Sequence, residues 1–285
     1  MKKNLKYFLE ALTVYACFLL GKLLGLSLSR KLFSYIFKKV GPFFKSKKII
    51  NKNISRLPKQ ISENEKENII KNMWSSYGKT FIEYIFLSKF RKSSSHIKII
   101  NEFILDDISN DDKPVIFISG HFSNFELMSM EITKKKINLA TIYRPLNNFF
   151  INFFMVHLRK KYICKNQITK GLQGVKEAIE YIKSGHSVAL MIDQRVSEGE
   201  KIKLFNYSAL TTTLPAQLAI KYNLKIVPIS IIRNHLNDFE MKVFNPIEIS
   251  KFKNKLDISE NLNQILERMI IDNPNQWIWT HDRWK

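Results

Sequence analysis

The sequence predicts an α/β fold in which a mostly parallel β-sheet is flanked by helices and preceded by an apolar, helical N-terminal segment. From residue 114 onward, short apolar runs alternate with amphipathic stretches across short links, which is typical of a parallel sheet covered by helices. Residues 1–46 differ in kind, being apolar over most of their length. A chain of 285 residues with 45% hydrophobic residues is long enough to bury a substantial core.

The N-terminal segment, residues 1–46, is predicted to be a helix or helix pair attached to a membrane. Its longest uncharged run, residues 11–21, is shorter than the roughly 20 residues that span a bilayer. Carrying Lys22 to the bilayer centre would cost about 3 kcal/mol, so the segment is either interfacial or a marginal span. Basic residues on both sides leave its orientation undecided, and a core helix packed on the domain stays an alternative. Residues 47–285 are expected to form the α/β domain.

Between these parts the pattern is less regular. Residues 45–53 are predicted to be a polar, basic linker, and residues 60–92 to be helical because their apolar positions fit one helix face. Residues 93–113 are polar and mixed, and no element is predicted there. The strands predicted beyond them are 115–119, 139–143, 187–193, 226–232 and, antiparallel, 239–244. The helices predicted beyond them are 123–136, 148–161, 171–183, 213–222 and 258–272.

Polar side chains follow three of the predicted strands. His121 follows the first, Tyr143 and Arg144 the second, and Asp193, Gln194 and Arg195 the third. Because sites in such sheets lie at the carboxyl ends of the strands, we expect these side chains to share one rim. Arg159, on the following helix, either joins them or lies on a solvated face. A histidine base with several cations suits an anionic substrate that presents a hydroxyl.

The strongest catalytic candidate is the pair of His121 and Glu126, in the stretch Gly120-His121-Phe122-Ser123-Asn124-Phe125-Glu126. In a regular helix, five residues would place the two side chains about 140° apart. If His121 lies in the turn and Glu126 in the first helical turn, the carboxylate can orient the imidazole as a base. The alternative is structural, because Ser123 and Glu126 also have the spacing of a helix capping box.

Composition narrows the partners. The formal net charge of +21 favours an anionic partner, such as nucleic acid, an anionic membrane or an acidic substrate, although a general lysine-rich bias would produce part of it. Nucleic-acid-binding signatures and glycine-rich phosphate loops are lacking, so no nucleic acid is expected. Cys17 and Cys164 form no metal-ligand pattern and indicate a reducing compartment.

Five blocks in this order resemble the lipid A biosynthesis late acyltransferase family, within the lysophospholipid acyltransferase superfamily with its His-x4-Asp/Glu signature. The blocks are His121 to Glu126, Tyr143-Arg144-Pro145-Leu146-Asn147-Asn148, Asp193-Gln194, Thr211-Thr212-Thr213 and the ending Pro274 to Lys285. The resemblance covers essentially the whole chain. It implies a glycerol-phosphate-acyltransferase-like fold at the inner membrane, with the catalytic domain, 47–285, on the cytoplasmic face.

The resemblance also implies a reaction. A fatty acyl chain would move from an acyl carrier protein thioester to a hydroxyl of an anionic, Kdo-modified lipid A precursor, with no metal or cofactor. His121 would be the general base oriented by Glu126, and Asn124 or a backbone N–H would stabilise the oxyanion. Arg144, Arg159 and Arg195 would hold phosphates or sugar acids. The predicted substrate-binding residues are Asn124, Tyr143, Arg144, Arg159, Asp193, Gln194 and Arg195.

Residues 196–210 lack the glycine-rich, double-phenylalanine stretch often seen in the family, which leaves the acyl chain and the acceptor open. Trp277, Trp279 and Trp284 would lie either at the membrane interface or in the core. Two other functions stay open at this point. One is an acyltransferase acting on another phospholipid or glycolipid, and the other is a non-catalytic basic protein that binds anionic membrane or nucleic acid.

Overall fold

A seven-stranded sheet organises the chain in the computed structural model, which describes residues 2–111 and 113–285. Met1, the first residue of the predicted segment 1–46, lies outside the described residues. The strands of the main sheet are β1 (Ile97–Ile100), β2 (Ile116–Ser119), β3 (Leu139–Tyr143), β4 (Asn166–Thr169), β5 (Ser187–Met191), β8 (Ile226–Arg233) and β9 (Phe239–Val243). A separate hairpin pairs β6 (Glu200–Leu204) with β7 (Tyr207–Thr211).

The strand order is β1-β9-β8-β2-β5-β3-β4. The neighbours from β8 to β4 pair in parallel, whereas β9 runs antiparallel to β8. The antiparallel strand predicted over 239–244 is therefore confirmed. The central pair matters most for the site, because the register sets Ser119 of β2 opposite Met191 of β5. The residues that follow these two strands, His121 and Asp193, consequently leave the sheet side by side.

Helices cover both faces of the sheet. One core contains Ala178, Ala216 and Leu262 from three of them, and the other contains Phe90 and Met128. This arrangement confirms the predicted α/β class with a mostly parallel sheet and an apolar N-terminal helix. The helices are α1 (Lys2–Phe44), α2 (Lys47–Ile54), α3 (Glu63–Glu83), α4 (Leu87–Lys92), α5 (Phe103–Asn110), α6 (Glu126–Lys134), α7 (Phe149–Tyr162), α8 (Leu172–Lys183), α9 (Leu214–Tyr222) and α10 (Lys255–Asp272).

The predicted linker over residues 45–53 is wrong, because most of it belongs to α2. Ile50 and Ile54, four residues apart, are buried on one side of this helix. Asn53 is also buried, and its Nδ2 donates hydrogen bonds to the carbonyls of Trp279 and His281 at 2.8 Å. The many lysines of the segment hid this short apolar face, which ties the C-terminal segment to the N-terminal half of the chain.

Segment α1, in which two helices meet at a non-helical Gly25, is long and apolar enough by composition to cross a membrane, with a mean hydropathy of 1.8 over its most apolar window and only 17% of that window buried. It also packs on the domain. Gly41 lies against the Trp74 ring, Gly21 against Ile82, and Arg30 forms a buried ion pair with Glu83 of α3. Part of the segment therefore packs on the domain, as the alternative expectation held, and its attachment to a membrane stays a prediction.

Candidate active site

A cavity of about 410 Å³ opens at the carboxyl ends of β2, β3 and β5, where the strand-end rule predicts the site. This volume lies in the range of roughly 300–1,000 Å³ that holds small-molecule ligands. Aliphatic side chains, among them Met128, Ile142 and Leu190, line much of it. The predicted site residues that line it are His121, Glu126, Tyr143, Arg144, Arg159 and Gln194.

His121 is held by a carboxylate, and that carboxylate belongs to Asp193. The Nδ1 of His121 lies 2.7 Å from Oδ1 of Asp193, and the backbone N–H of His121 donates to Oδ2 at 2.8 Å. Asp193 is 2% exposed, whereas His121 is partly exposed and lines the cavity. The Phe125 ring packs edge-on to the imidazole at 4.6 Å, which helps to fix its orientation.

Asp193 is held as a carboxylate. Burial alone would raise its pKa, but the adjacent His121 and the hydrogen bonds from His121 and from Nε1 of Trp277, at 2.9 Å, lower the pKa below its ordinary value. An ionised Asp193 only accepts hydrogen bonds, so the facing Nδ1 of His121 carries a proton. In the neutral imidazole, Nε2 is then the unprotonated nitrogen, which is the form a general base needs.

The predicted pairing of His121 with Glu126 is wrong. Glu126 begins α6 and is turned towards the opposite wall, where its Oε1 accepts a hydrogen bond from Nε of Arg159 at 2.9 Å and close contacts from Nη2 of Arg159 and the Tyr84 hydroxyl. Arg159 comes from α7, and its Nη2 also donates a hydrogen bond to the Tyr84 hydroxyl at 3.1 Å. Glu126, Arg159 and Tyr84 therefore form a buried triad. The guanidinium attracts the carboxylate more strongly than an imidazole in the turn would.

The capping-box alternative is not formed at α6 either. Phe125 occupies the N-cap position without a side-chain hydrogen bond, and Ser123 has a positive φ of 43°. The predicted contact of Asn124 with substrate is also wrong. Asn124 is 1% exposed, and its Nδ2 donates to Oε2 of Glu83 at 2.9 Å, so the amide supports the turn from below. The turn between β2 and α6 is therefore fixed by buried polar contacts.

The cations divide between the cavity and the C-terminus. Arg144 lines the cavity together with Lys170, whose pKa is lowered by burial and by the adjacent charge of Arg144. Arg195 points elsewhere, because its Nε donates to the carbonyl of Lys285 at 3.1 Å and its backbone N–H donates to Nε2 of His281. The prediction that Arg195 holds substrate is therefore not supported by its contacts.

Several site residues escape the sequence reasoning. Lys170 follows β4, a short strand of mixed polar residues that the sequence pattern does not predict, so the strand-end rule does not identify Lys170. Tyr84 follows α3 and reaches Glu126 across 42 residues of sequence, a contact that no local pattern encodes.

The C-terminal tryptophans lie in the core, which was one of the two alternatives for them. Trp277 is 2% exposed and contacts Asp193, and Trp279 and Trp284 are also buried.

Within the described ranges, 2–111 and 113–285, no group of three or more His, Cys, Asp or Glu side chains is placed to hold a metal ion. The site combines a buried carboxylate, an oriented imidazole and cations around a partly apolar cavity. Such a set can accept a proton from a hydroxyl and can hold an anionic group beside an apolar chain.

Comparisons with known proteins give a family match and several similar proteins. The profile of the family described as bacterial lipid A biosynthesis acyltransferase matches residues 2–285. Lipid A biosynthesis acyltransferase 2 of Shigella flexneri is 22% identical over 98% of this chain and 91% of that protein. Lipid A biosynthesis lauroyltransferase of Escherichia coli strain K12 is 22% identical over 84% of this chain and 78% of that protein. The structure of the 1-acyl-sn-glycerophosphate acyltransferase of Thermotoga maritima aligns over 88% of this chain and 97% of that one, with a TM-score of 0.41 and 13% identity.

Proposed function

The chain belongs to the bacterial lipid A biosynthesis acyltransferase family, and from this premise we propose that it transfers a fatty acyl chain from an acyl carrier protein thioester to a hydroxyl of a Kdo-modified lipid A precursor. The observation that carries the proposal is the His121–Asp193 pair at the head of a partly apolar cavity. As part of the same proposal, the chain is attached to the inner membrane and its catalytic domain lies on the cytoplasmic face. The apolar composition of segment α1 supports membrane attachment.

The proposed mechanism uses His121 as the general base. Its Nε2 takes the proton of the acceptor hydroxyl as the oxygen attacks the thioester carbonyl, which forms the new ester C–O bond. Collapse of the tetrahedral intermediate breaks the C–S bond, and the imidazolium returns the proton to the leaving thiolate. Asp193 stabilises the imidazolium during the step. A general base of this kind contributes about 10²- to 10⁴-fold in rate.

The cations at the cavity support an anionic acceptor. Arg144 and Lys170 line the cavity and are exposed, so they can face phosphate or sugar carboxylate groups, which a guanidinium matches with two parallel hydrogen bonds. Arg159 is already paired with Glu126 and Tyr84, so we propose that it shapes the cavity wall beside Tyr143, whose ring lies 5.5 Å from its guanidinium carbon.

Mass spectrometry of lipid A tests the proposal in cells. Cells that express the chain are expected to contain lipid A heavier by one acyl chain, and His121→Ala is expected to abolish this shift. His235→Ala, at an exposed turn after β8, is the matched control and should leave the shift unchanged. An unchanged lipid A mass with wild-type protein would contradict the acceptor. If an acyl chain then appears on another lipid and depends on His121, the alternative acceptor is correct. If no lipid gains an acyl chain and the protein only binds anionic membrane or nucleic acid, with a binding affinity that falls steeply as salt is raised, the non-catalytic alternative is favoured.

The position of Ile163 between two cavities predicts that its side chain limits the length of the acyl chain. Ile163, 3% exposed, lines the cavity beside Thr141 and Ala189, and it also lines a second cavity of about 500 Å³ that opens on the far side near Cys164. Ile163 is the lining residue that the two cavities share, so we propose that its side chain forms part of the wall between them. An acyl chain that enters beside His121 would end at this wall.

Replacing Ile163 by alanine is expected to shift the preferred acyl chain to greater length, because the wall between the cavities is removed. Ala189→Val, which adds bulk on the same wall, is expected to shift the preference to shorter chains. Ile168→Ala is the matched control, because Ile168 is equally buried but packs in the core on the other face of the sheet. Both alanine variants are expected to lose about 2–5 kcal/mol of stability. Competition between acyl donors of different length measures the result, and an unchanged preference in Ile163→Ala would contradict it.

A further inference from the structure

The N-terminal helix is folded back on itself. The rings of Phe18, Phe33 and Phe37 all lie within 5.7 Å of the single ring of Phe81. In a straight helix, 15 residues would separate Phe18 from Phe33 by about 22 Å. The reversal is at Gly25, where φ of 72° and ψ of 171° are not helical and suit glycine. Segment α1 is therefore two helices, residues 2–24 and 26–44, joined at an apex.

The second arm of this fold-back is fixed to the catalytic domain. Nε of Arg30 donates to Oε1 of Glu83 at 2.6 Å, in a pair that is almost fully buried. Gly78 of α3 lies so close to the backbone of Phe33 that an added Cβ would be 2.2 Å from the Phe33 carbonyl oxygen. An arm packed this closely cannot leave the domain to cross a bilayer alone.

The first arm is fixed as well, chiefly to α7. The Tyr15 hydroxyl donates to the carbonyl of Phe150 at 2.8 Å, and the rings of Phe8 and Phe150 pack edge-on at 5.7 Å. Nδ2 of Asn148, at the start of α7, donates to the carbonyl of Tyr7 at 2.7 Å. The first arm is therefore held against the domain along most of its length, which a membrane-spanning helix could not be while the domain stays in water.

The outward surface of the fold-back is apolar along both arms, from Leu5 past the apex to Phe43 and Phe44. Leu23 is 78% exposed, and large apolar side chains on both arms are exposed with it: Leu5, Phe8, Leu9, Leu12, Leu19, Leu20, Leu28 and Tyr35. Exposed apolar side chains grouped in this way mark a site that contacts a membrane or a partner. The one lysine beside the apex, Lys22, is turned back, with its Nζ 5.7 Å from the Phe86 ring centroid.

Charge and position favour a lipid leaflet as the occupant of this surface. The ends of the two arms carry exposed lysines, Lys3 and Lys6 on one and Lys38 and Lys39 on the other, which suit anionic lipid headgroups. Exposed apolar side chains also lie on and before α7, which packs on the first arm: Phe153 is 80% exposed, and Leu146, 43% exposed, lines the cavity. A leaflet in contact with this surface would therefore meet the opening through which an acyl chain enters.

From this geometry we infer that α1 enters one leaflet as a folded-back pair of helices and does not cross the bilayer, so that both ends of the segment lie on the same side of the membrane. The inference rests on the membrane location proposed above. It replaces the marginal span with a monotopic attachment whose apex lies in the hydrocarbon region and whose arms stay bound to α3 and α7.

Labelling of single cysteines with a membrane-impermeant maleimide tests the inference. The full chain, with Cys17→Ala and Cys164→Ala as the background, carries Lys3→Cys, Lys45→Cys or, near the apex, Ser27→Cys in sided membrane vesicles. Lys3→Cys and Lys45→Cys are expected to react in the same vesicle orientation. Ser27→Cys is expected to react in neither orientation until detergent is added, which also confirms that the thiol is present and reactive.

Other outcomes overturn the inference. Labelling of Lys3→Cys and Lys45→Cys from opposite sides would establish a single crossing. Labelling of Ser27→Cys from the side opposite to both ends would establish a double crossing. Labelling of Ser27→Cys from the same side as both ends would show that the apex lies outside the hydrocarbon, either in water or packed against a second copy of the chain. Absence of the protein from the membrane fraction would instead contradict the membrane location in the proposed function.

Discussion

Asp193→Asn is expected to lower kcat by about 10²- to 10⁴-fold while the KM for the acyl donor changes little. Oδ2 of Asp193 accepts hydrogen bonds from the His121 backbone and from Trp277, so the asparagine oxygen must take that position. The asparagine NH₂ group then faces Nδ1 of His121 as a donor. This forces the imidazole proton onto Nε2 and removes the base. Steady-state kinetics with the full chain in lipid vesicles measure the change.

Trp277→Phe is the control for this result, because it removes one hydrogen bond to Asp193 but keeps the carboxylate and the packing. We expect it to retain most of the rate. A wild-type kcat in Asp193→Asn would show that His121 needs no carboxylate.

The charge of Asp193 also contributes to folding. Since the pKa of Asp193 is lowered on folding, its stabilising contribution is present above the ordinary aspartate pKa, about 3.9, and is lost as the pH falls through the lower folded value.

Glu83→Ala is expected to cost about 3–5 kcal/mol of unfolding free energy. Glu83 is fully buried and joins Arg30 of α1, Arg233 of β8, at 2.8 Å from Nη2 to Oε2, and Asn124 of the catalytic turn. Burial alone would raise its pKa, but the two arginines lower it, so the carboxylate is ionised. Its removal leaves two guanidinium groups buried without a counter-charge.

Chemical denaturation of the detergent-solubilised full chain measures this loss. Glu67→Ala, on the exposed side of the same helix, is the matched control and should change the free energy of unfolding by no more than about 0.5 kcal/mol. Because Glu83 supports Asn124 beneath the His121 turn, we expect activity in Glu83→Ala to fall with stability. A Glu83→Ala protein as stable as Glu67→Ala would contradict the description of this cluster as the junction of α1, β8 and the site.

The sequence predicts the parallel sheet because its strands are short apolar runs between amphipathic helices. The strand-end rule also places His121, Tyr143, Arg144 and Asp193 at one rim. It does not pair them correctly, because pairing depends on strand order. Only the pairing of β2 with β5 shows that Asp193 lies beside His121, although Glu126 is closer to His121 in the sequence. Sequence separation is five residues in one case and 72 in the other.

Elements with mixed polar patterns escape prediction for a related reason. Strand β4 has little apolar character, and its place beside β3 is fixed by register rather than by composition. The fold-back of α1 escapes because hydropathy reports how apolar the segment is and not its direction. Gly25 is the local signal for the reversal, but one glycine in an apolar helix is also compatible with a straight helix.

The most direct test of the mechanism is the single-turnover rate of acyl transfer by the full chain in lipid vesicles, compared between wild type and His121→Ala. With a labelled acyl carrier protein thioester and a Kdo-modified lipid A precursor, the wild type is expected to form the acylated lipid. The rate in His121→Ala is expected to fall by at least about 10²-fold. A His121→Ala rate equal to that of the wild type would contradict the assignment of His121 as the base.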